Sequence, residues 1–315
     1  MNAGEKPWVS FCMSTYKRPE LLSEALSTIS KQTFTAFEVI ISDNDPEKSA
    51  KGIVEDINDL RFKYFSNCKN LGMIQSFNLS IERASADYIV MITDDDPVEE
   101  KFLSELYEIY KQNNNYGIYA GFLRTKTIIN EIEYIKKEIF AEEILDINKT
   151  KKILWSSCII KKKIAIQIGK IPEYGSPHLS DHALIAMAGS INGGIIINKM
   201  YSTLSSHNSN FSKSNLESYK TGCIGFHETL TAFFKNHSRF QYINKAIDSH
   251  LKSWFITIIF VLKKHYTVVN KKKNVLNEIN GFAKSILQLN FMRRYKLNYF
   301  FKNFIFFIKR TLGLL

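Results

Sequence analysis

Tyr88-Ile89-Val90-Met91-Ile92-Thr93-Asp94-Asp95-Asp96 is the stretch on which the reading of this chain turns. Its first six residues carry no charge and read as a buried strand. The strand runs straight into three adjacent carboxylates, which repel one another and raise each other's pKa unless something positive neutralises them. A divalent cation is the natural partner, because hard oxygen ligands suit Mg²⁺ or Mn²⁺. Two carboxylates do not complete a metal cage. The remaining positions would go to water or to phosphate oxygens, which is how a metal stabilises a departing diphosphate. The plainer alternative is a solvated loop in which an aspartate caps a helix before Pro97.

The sequence around this stretch repeats its pattern. Upstream, Trp8–Met13 reads as a strand, the polar run 14–18 as a loop, and Pro19 as a helix start, with Leu22, Ala25, Leu26 and Ile29 at helical spacing. Phe37–Ile41 is a second strand that ends in the turn cluster 42–46. A helix over 47–58 and a strand near Phe62–Phe65 follow, and Asn70-Leu71-Gly72 then punctuates the chain before a helix to about Ala84. Strands alternating with helices predict an α/β fold, a mostly parallel sheet with helices on both faces. Ligands of such sheets bind at the carboxyl ends of the strands, so the clusters 14–18, 42–45 and 94–96 are expected to converge. Downstream, 131–150 reads as a helix or a mobile excursion over the site, and Ile153–Ile160 as strand-like. Ser180–Ala188 reads as helix, Ile195–Ile197 as a short strand, 202–214 as a loop and 216–250 as helix.

Composition sets limits. The 315 residues suffice for one large domain with an appendage. Met1–Pro7 is polar, and no secretory signal is expected. Cys12, Cys68, Cys158 and Cys223 have no metal-ligand spacing and are expected to be buried thiols in a reducing compartment. The net charge is +11, yet residues 251–315 hold 13 Lys or Arg and a single acid, Glu278. The basic excess therefore belongs to the tail.

The ordered motifs resemble glycosyltransferase family 2, which has the GT-A fold. They are Ser14-Thr15-Tyr16-Lys17-Arg18-Pro19, then Val39-Ile40-Ile41-Ser42-Asp43-Asn44-Asp45, then Asn70-Leu71-Gly72 with Asn78, then Ala86-Asp87-Tyr88-Ile89 running to Asp94-Asp95-Asp96, the family's Asp-x-Asp (DXD) position. The resemblance covers about the first two hundred residues. It implies that Thr15 and Asp43 contact the nucleotide base, with Tyr16 in the same loop, and that Arg18 shapes that loop. Asn70, Gly72 and Asn78 would join the nucleotide-sugar site. Asp94 would face the ribose and donor sugar, Asp95 fills the variable middle position, and Asp96 would bind Mn²⁺ or Mg²⁺. Two departures from the pattern, Pro97 after the motif and Ser42 before Asp43, leave the base contacts and the nucleotide open.

The resemblance also implies an inverting transfer that needs a general base near the acceptor hydroxyl. After Ile168-Gly169-Lys170-Ile171-Pro172-Glu173, the matching acid is Asp181, which is either that base or only a helix cap. His182 beside it is either functional or a packing residue. His207, in Ser206-His207-Asn208-Ser209-Asn210-Phe211-Ser212, corresponds to a family loop whose His approaches the metal or diphosphate; a surface role is the alternative. Trp155 either stacks on an acceptor sugar or belongs to the core.

In the tail, residues 253–262 are apolar but shorter than the roughly 20 needed to span a bilayer. From Phe291 onward, a helix would place Arg294, Asn298, Lys302 and Lys309 on one side and Phe300, Phe304, Phe307 and Ile308 on another. That arrangement suits an anionic membrane surface. Packing on the domain or on a second subunit competes with this reading. Nucleic-acid binding is the weakest of the three readings, and no nucleic-acid partner is expected.

The expectation is thus a GT-A glycosyltransferase domain over 1–215, with a nucleotide-sugar half to about 98 and an acceptor half over 99–215. A helical extension over 216–315 would associate with a membrane or form a homo-oligomer. The enzyme would move a hexosyl or deoxyhexosyl group from a nucleotide diphosphate sugar donor to a glycan or lipid-linked oligosaccharide acceptor. Its product would serve bacterial surface polysaccharide (O-antigen or capsule) biosynthesis, on the cytoplasmic, inner face of the cell membrane. Two rivals are a nucleotidyltransferase, which usually needs a Gly-rich loop that Ser14–Pro19 lacks, and a non-catalytic glycan- or membrane-binding module.

Overall fold

The computed structural model describes residues 6–122, 131–147, 153–203, 216–268 and 273–312. The first half follows the expected alternation: β1 (Val9–Thr15), α1 (Pro19–Ser30), β2 (Phe37–Asp43), α2 (Lys51–Ile57), β3 (Phe62–Ser66), α3 (Met73–Arg83) and β4 (Tyr88–Thr93). Pro19 opens α1, where its missing N–H costs nothing. α4 (Phe102–Gln112), β5 (Ile118–Gly121), β6 (Ile132–Ile135), α5 (Phe140–Leu145), β7 (Cys158–Lys161), α6 (Lys162–Gln167), α7 (Ser180–Asn192) and β8 (Gly194–Ile197) follow. The sheet order is β3-β2-β1-β4-β7-β5-β8-β6. The first four strands are parallel, and β7 and β6 run antiparallel to their neighbours.

Register brings the polar clusters together. β1 and β2 pair Thr15 with Asp43, while β1 and β4 pair Ser14 with Thr93. Parallel strands in step must end at the same edge, so the three clusters meet there as expected.

Side chains alternate between two cores, as the two-residue period of a strand requires. Phe11, Met13, Val39, Ile41, Val90 and Ile92 face the core under α1 and α4. Cys12, Ile40, Ile89 and Met91 face the core under α3 and α7. Because both faces are covered, these strands are mostly apolar, which is why their sequence is so legible. Among the buried exceptions, the Ser10 hydroxyl of β1 donates to Glu38 of β2 at 2.6 Å.

Four expectations need correction. Residues 132–135 form an edge strand paired with β8, four places from β4, and α5 packs on α7 instead of lying over the site. Ile153–Ile160 is not one strand: Trp155–Ser157 make a 3₁₀ turn before β7. A short apolar run does not reveal such a turn by periodicity. The helix expected over 216–250 is two helices, α8 (Leu216–Phe234) and α9 (Phe240–Val268). At their junction the Arg239 N–H donates to His237 Nδ1 at 3.2 Å. Among the cysteines, Cys68 is exposed while the other three are buried.

α10 (Lys273–Ile286), a 3₁₀ turn at Asn290–Tyr295 and α11 (Lys296–Thr311) complete the chain. α7 is buried on both sides. Leu184, Ile185 and Ala188 face the sheet, whereas Ala183, Ala186 and Met187 join a third core with α8, α9 and α10. Arg239 adds a fork to Glu142 of α5, with bonds of 2.5 and 2.9 Å.

Two glycines test the packing. A Cβ on Gly225 of α8 would sit 2.1 Å from the Tyr174 ring, so Gly225→Ala should cost about 1–3 kcal/mol in urea unfolding. Gly281 of α10 is exposed with nothing within 4 Å, so Gly281→Ala should gain about 0.5–1 kcal/mol.

Candidate active site

The site begins where β1 and β4 end. Ser14 and Thr93 are register partners, so Thr15 and Asp94 come next to each other, and the Thr15 hydroxyl donates to Asp94 Oδ2 at 2.9 Å. Arg18, just before α1, reaches Asp94 Oδ1 at 3.3 Å and Asp95 Oδ2 at 3.5 Å. One guanidinium thus bridges two of the three carboxylates. Burial still raises the Asp94 carboxyl above its ordinary range, with Arg18 and Thr15 opposing the rise.

Asp96 is 6% exposed, and burial pushes its carboxyl up to about 6. The Thr93 and Ser156 hydroxyls work against that shift, while the Asp95 and Asp94 charges add to it. A carboxylate held in an environment that disfavours its own charge is chemically suited to a cation. Among the described residues no group of three or more His, Cys, Asp or Glu side chains could hold a metal ion. The donor set therefore fits an ion that keeps most of its ligands as water or phosphate oxygens, as Mg²⁺ does, and not a protein-only cage.

The second wall comes from β2 and the loop before α3. Asn44 Nδ2 donates to Asn70 Oδ1 at 2.7 Å and to the Gly72 carbonyl at 3.3 Å, and its Oδ1 accepts from the Leu71 N–H at 2.9 Å. Gly72 has φ of +81°, a conformation that favours glycine, and it starts α3. Asn44, Asn70, Gly72 and half-exposed Tyr16 line a cleft of about 610 Å³ together with the three aspartates.

Two sequence-predicted residues sit behind this wall. Asp43 is fully buried. Its Oδ1 accepts from the Asp45 N–H at 2.9 Å; its Oδ2 accepts from the Ala50 N–H at 3.2 Å and from the Tyr64 hydroxyl at 2.8 Å. Asn78 exchanges two 3.0 Å bonds with the backbone of Ile171. Neither lines the cleft. Asp43 holds the turn that presents Asn44, and Asn78 pins the loop leading to α7.

The opposite end of the cleft is built by that loop and α7. Tyr174 donates to the His178 carbonyl at 2.9 Å and Ser176 to the Ser218 carbonyl of α8 at 2.8 Å. Leu179 enters α7 at φ of +67°, a strained position for a branched residue. Asp181 follows in the first turn, with a partly exposed carboxylate that lines the cleft. Its Oδ2 lies 3.6 Å from His182 Nε2, and His182 Nδ1 lies 2.7 Å from His250 Nε2 of α9. His178 stacks on Tyr219 at 4.0 Å, and burial lowers it to about 4, so its ring is neutral at physiological pH. Trp155 lines the cleft and contacts Phe77 at 4.8 Å.

Asn44, His178 and Trp254 of α9 were not singled out from the sequence, yet all three line the cleft. Asn44 has a signal in the sequence, since it lies in the turn cluster that follows β2. Trp254 has no local signal, since it arrives through helix packing from far downstream. His207 lies outside the described residues. The chain leaves the described part after Ser202 and Thr203, where Ser202 bridges Val98 and donates to Ser156 Oγ at 2.9 Å, beside the aspartate loop.

Known proteins are similar to this chain in sequence and in fold. A Campylobacter jejuni enzyme, GalNAc(5)-diNAcBac-PP-undecaprenol beta-1,3-glucosyltransferase, is 31% identical over 118 residues, covering 36% of this chain and 38% of the enzyme. The chain thus spans well under half of that relative's length. Two solved structures are similar in fold. Staphylococcus aureus TarS 1-349 in complex with UDP-GlcNAc matches at TM-score 0.53 and 14% identity, covering 93% of this chain and 92% of that one. The Pyrobaculum calidifontis mannosyltransferase PcManGT, in complex with GDP-Man and Mn²⁺, matches at TM-score 0.58 and 11% identity, covering 99% and 88%. Residues 10–168, just over half of the chain, match Glycosyl transferase family 2, and with the sheet order and the aspartate-lined cleft this places the chain in that glycosyltransferase family.

Proposed function

We propose that this protein is an inverting glycosyltransferase that moves a sugar from a nucleoside diphosphate donor to a hydroxyl of a lipid-linked glycan. One observation carries the reading: Asp94, Asp95 and Asp96 share a single cleft with Asp181. An acidic end for the diphosphate and a carboxylate beyond it are what a direct displacement requires.

In this reading Thr15 and Arg18 fix Asp94 against the donor's ribose and sugar, Arg18 steadies Asp95, and Tyr16, Asn70 and Gly72 border the nucleotide. Asp43 and Asn78 act at one remove, through Asn44 and Ile171. Asp96, with His207 as a candidate second ligand, would hold Mn²⁺ or Mg²⁺, and the ion would offset charge on the departing diphosphate. Asp181 takes the proton as the acceptor oxygen bonds to the anomeric carbon and the bond to the diphosphate breaks. His178, Trp155 and Trp254 offer flat rings to the acceptor sugars. The solved complexes of similar fold hold UDP-GlcNAc or GDP-Man with Mn²⁺, and the Campylobacter relative is named for an undecaprenol-linked acceptor. These support the donor and acceptor classes proposed here.

A lipid-linked acceptor places the enzyme at a membrane, on the inner face where nucleotide sugars are made. No helix among the described residues is long and apolar enough to cross a bilayer. α11 instead exposes Leu297, Phe300, Phe301, Phe304, Phe307 and Ile308, each 40–81% exposed. At 100° per residue these fall on one face, flanked by Lys302 and Lys309 on one side and Lys296 and Arg310 on the other. Such a helix suits the plane of an anionic surface. Arg294, expected on the basic side, pairs instead with Asp248 of α9.

Three outcomes test the reading. In a nucleotide-sugar panel with Mn²⁺, nucleoside diphosphate release should vanish with EDTA and with Asp96→Ala; unchanged turnover in both would sink the metal role. Asp181→Asn should lower kcat by about 10²–10⁴-fold and leave donor affinity within about twofold. Asp96→Asn should stabilise the metal-free protein by about 1–2 kcal/mol at neutral pH, read from thermal melting. The folded carboxyl titrates near 6, above its unfolded value, so ionising it costs stability as pH rises through 6. The advantage of the variant should therefore fade as pH falls towards about 4.

A further inference from the structure

Lys263 of α9 is 1% exposed, where α9, α10 and α11 meet. Its ammonium donates to Asn303 Oδ1 at 2.5 Å and to the Tyr299 hydroxyl at 3.1 Å, and Tyr299 donates to Asn280 Oδ1 at 3.2 Å. The rings of Phe260, Tyr299 and Phe306 lie 5.0–5.9 Å from the same ammonium. A cavity of about 310 Å³ opens beside it, walled by Asn277 and Asn280 of α10 and by Asn303, Phe307 and Arg310 of α11. No acid is among its lining residues, and it shares no residue with the donor cleft.

Two cations and three carboxamides around one cavity form an anion site with many donors. Burial lowers Lys263 to about 8, and an anion beside it would favour the charged form. The volume exceeds that of several waters at about 30 Å³ each, leaving room for a phosphate ester. Phe307 gives the site its direction. It walls the cavity and also belongs to the exposed apolar face of α11, at 63% exposure. A phosphate held by Lys263 and Arg310 would thus carry its ester arm out onto the face where acyl chains would lie.

We propose that this cavity receives the phosphate of a membrane lipid headgroup and fixes the depth and tilt of α11 in the surface. The inference rests on the membrane reading of α11 but not on the sugar-transfer chemistry.

The test floats the full chain on phosphatidylcholine vesicles carrying either phosphatidylglycerol or oleate, matched in surface potential. Diffuse attraction treats phosphate and carboxylate alike; a built phosphate site does not. The wild type should bind the phosphatidylglycerol vesicles about fivefold more tightly, the effect of roughly one well-placed charge. Arg310→Gln and Lys263→Met should abolish that preference. A Lys302→Gln, Lys309→Gln double variant should weaken binding to both vesicles equally and keep it. Should Lys263→Met fail to fold, exposed Arg310 decides the matter alone. Equal binding by the wild type, or a preference that survives Arg310→Gln, overturns the proposal. Glycerol phosphate tested by thermal shift separates the sources: binding to it as tight as to vesicles would assign the site to a soluble phosphate ester and overturn the lipid source. Nucleoside diphosphate release is measured alongside. Equal binding to the two vesicles by a wild type that still turns over removes only the headgroup site; a wild type that keeps the preference but shows no turnover removes only the enzymatic reading.

Discussion

The contact on which the site depends is that of Arg18 with Asp94 and Asp95. Three carboxylates at the end of a buried strand cannot all remain charged without compensation. Arg18 compensates two of them, at 3.3 and 3.5 Å, and Thr15 adds a bond to the first. Asp96 is left in a buried pocket that lifts its carboxyl to about 6. The division of labour within the triplet follows from this geometry. The pair held by Arg18 is structurally fixed, and the third carries an electrostatic deficit that a bound cation would relieve. Parallel register makes the arrangement possible, because it sets Thr15, Arg18 and the triplet at one edge.

What could be read from the sequence, and what could not, divides along physical lines. β1, β2 and β4 are buried on both faces and therefore mostly apolar, so their bounds and the polar clusters beyond them are legible. Beyond β4 only β8 is read directly, from Ile195–Ile197; β5, β6 and β7 have four residues each, too short for a period to establish itself, and β6 and β7 run against their neighbours. The same reasoning explains Asp43 and Asn78. Each has the residue type of a ligand contact, but hydrogen bonds to nearby backbone use their oxygens and amides within the fold. Residue type and order reveal that a polar group is needed near a place, not which way it turns.

The α7 end of the cleft belongs to a different kind of information. The loop before α7 is held by Ser218 of α8, the strained Leu179 is covered by the third core, and Trp254 reaches the cleft from α9. These contacts cross from the sheet-bearing part of the chain into the C-terminal helices. α7 is the shared element, with one face on the sheet and the other on the tail helices. The C-terminal helices are therefore packed into the fold, and α9, where the charge excess begins, also lines the cleft through Trp254.

α9 makes that coupling geometric. Trp254 and Lys263 are nine residues apart, which at 1.5 Å per residue is about 13 Å along the axis, and at 100° per residue puts them on opposite sides. One side of α9 closes the cleft, and the other meets α10 and α11, where the exposed apolar face begins. A helix buried on both sides transmits position rigidly, since a close-packed core resists sub-ångström shifts. On the proposed reading, whatever depth α11 takes in a membrane surface would be passed through Lys263 and α9 to Trp254 and the α7 end of the cleft. For the proposed lipid-linked acceptor, whose reacting hydroxyl would stand a set distance above the bilayer, that rigid link would turn membrane binding into substrate alignment.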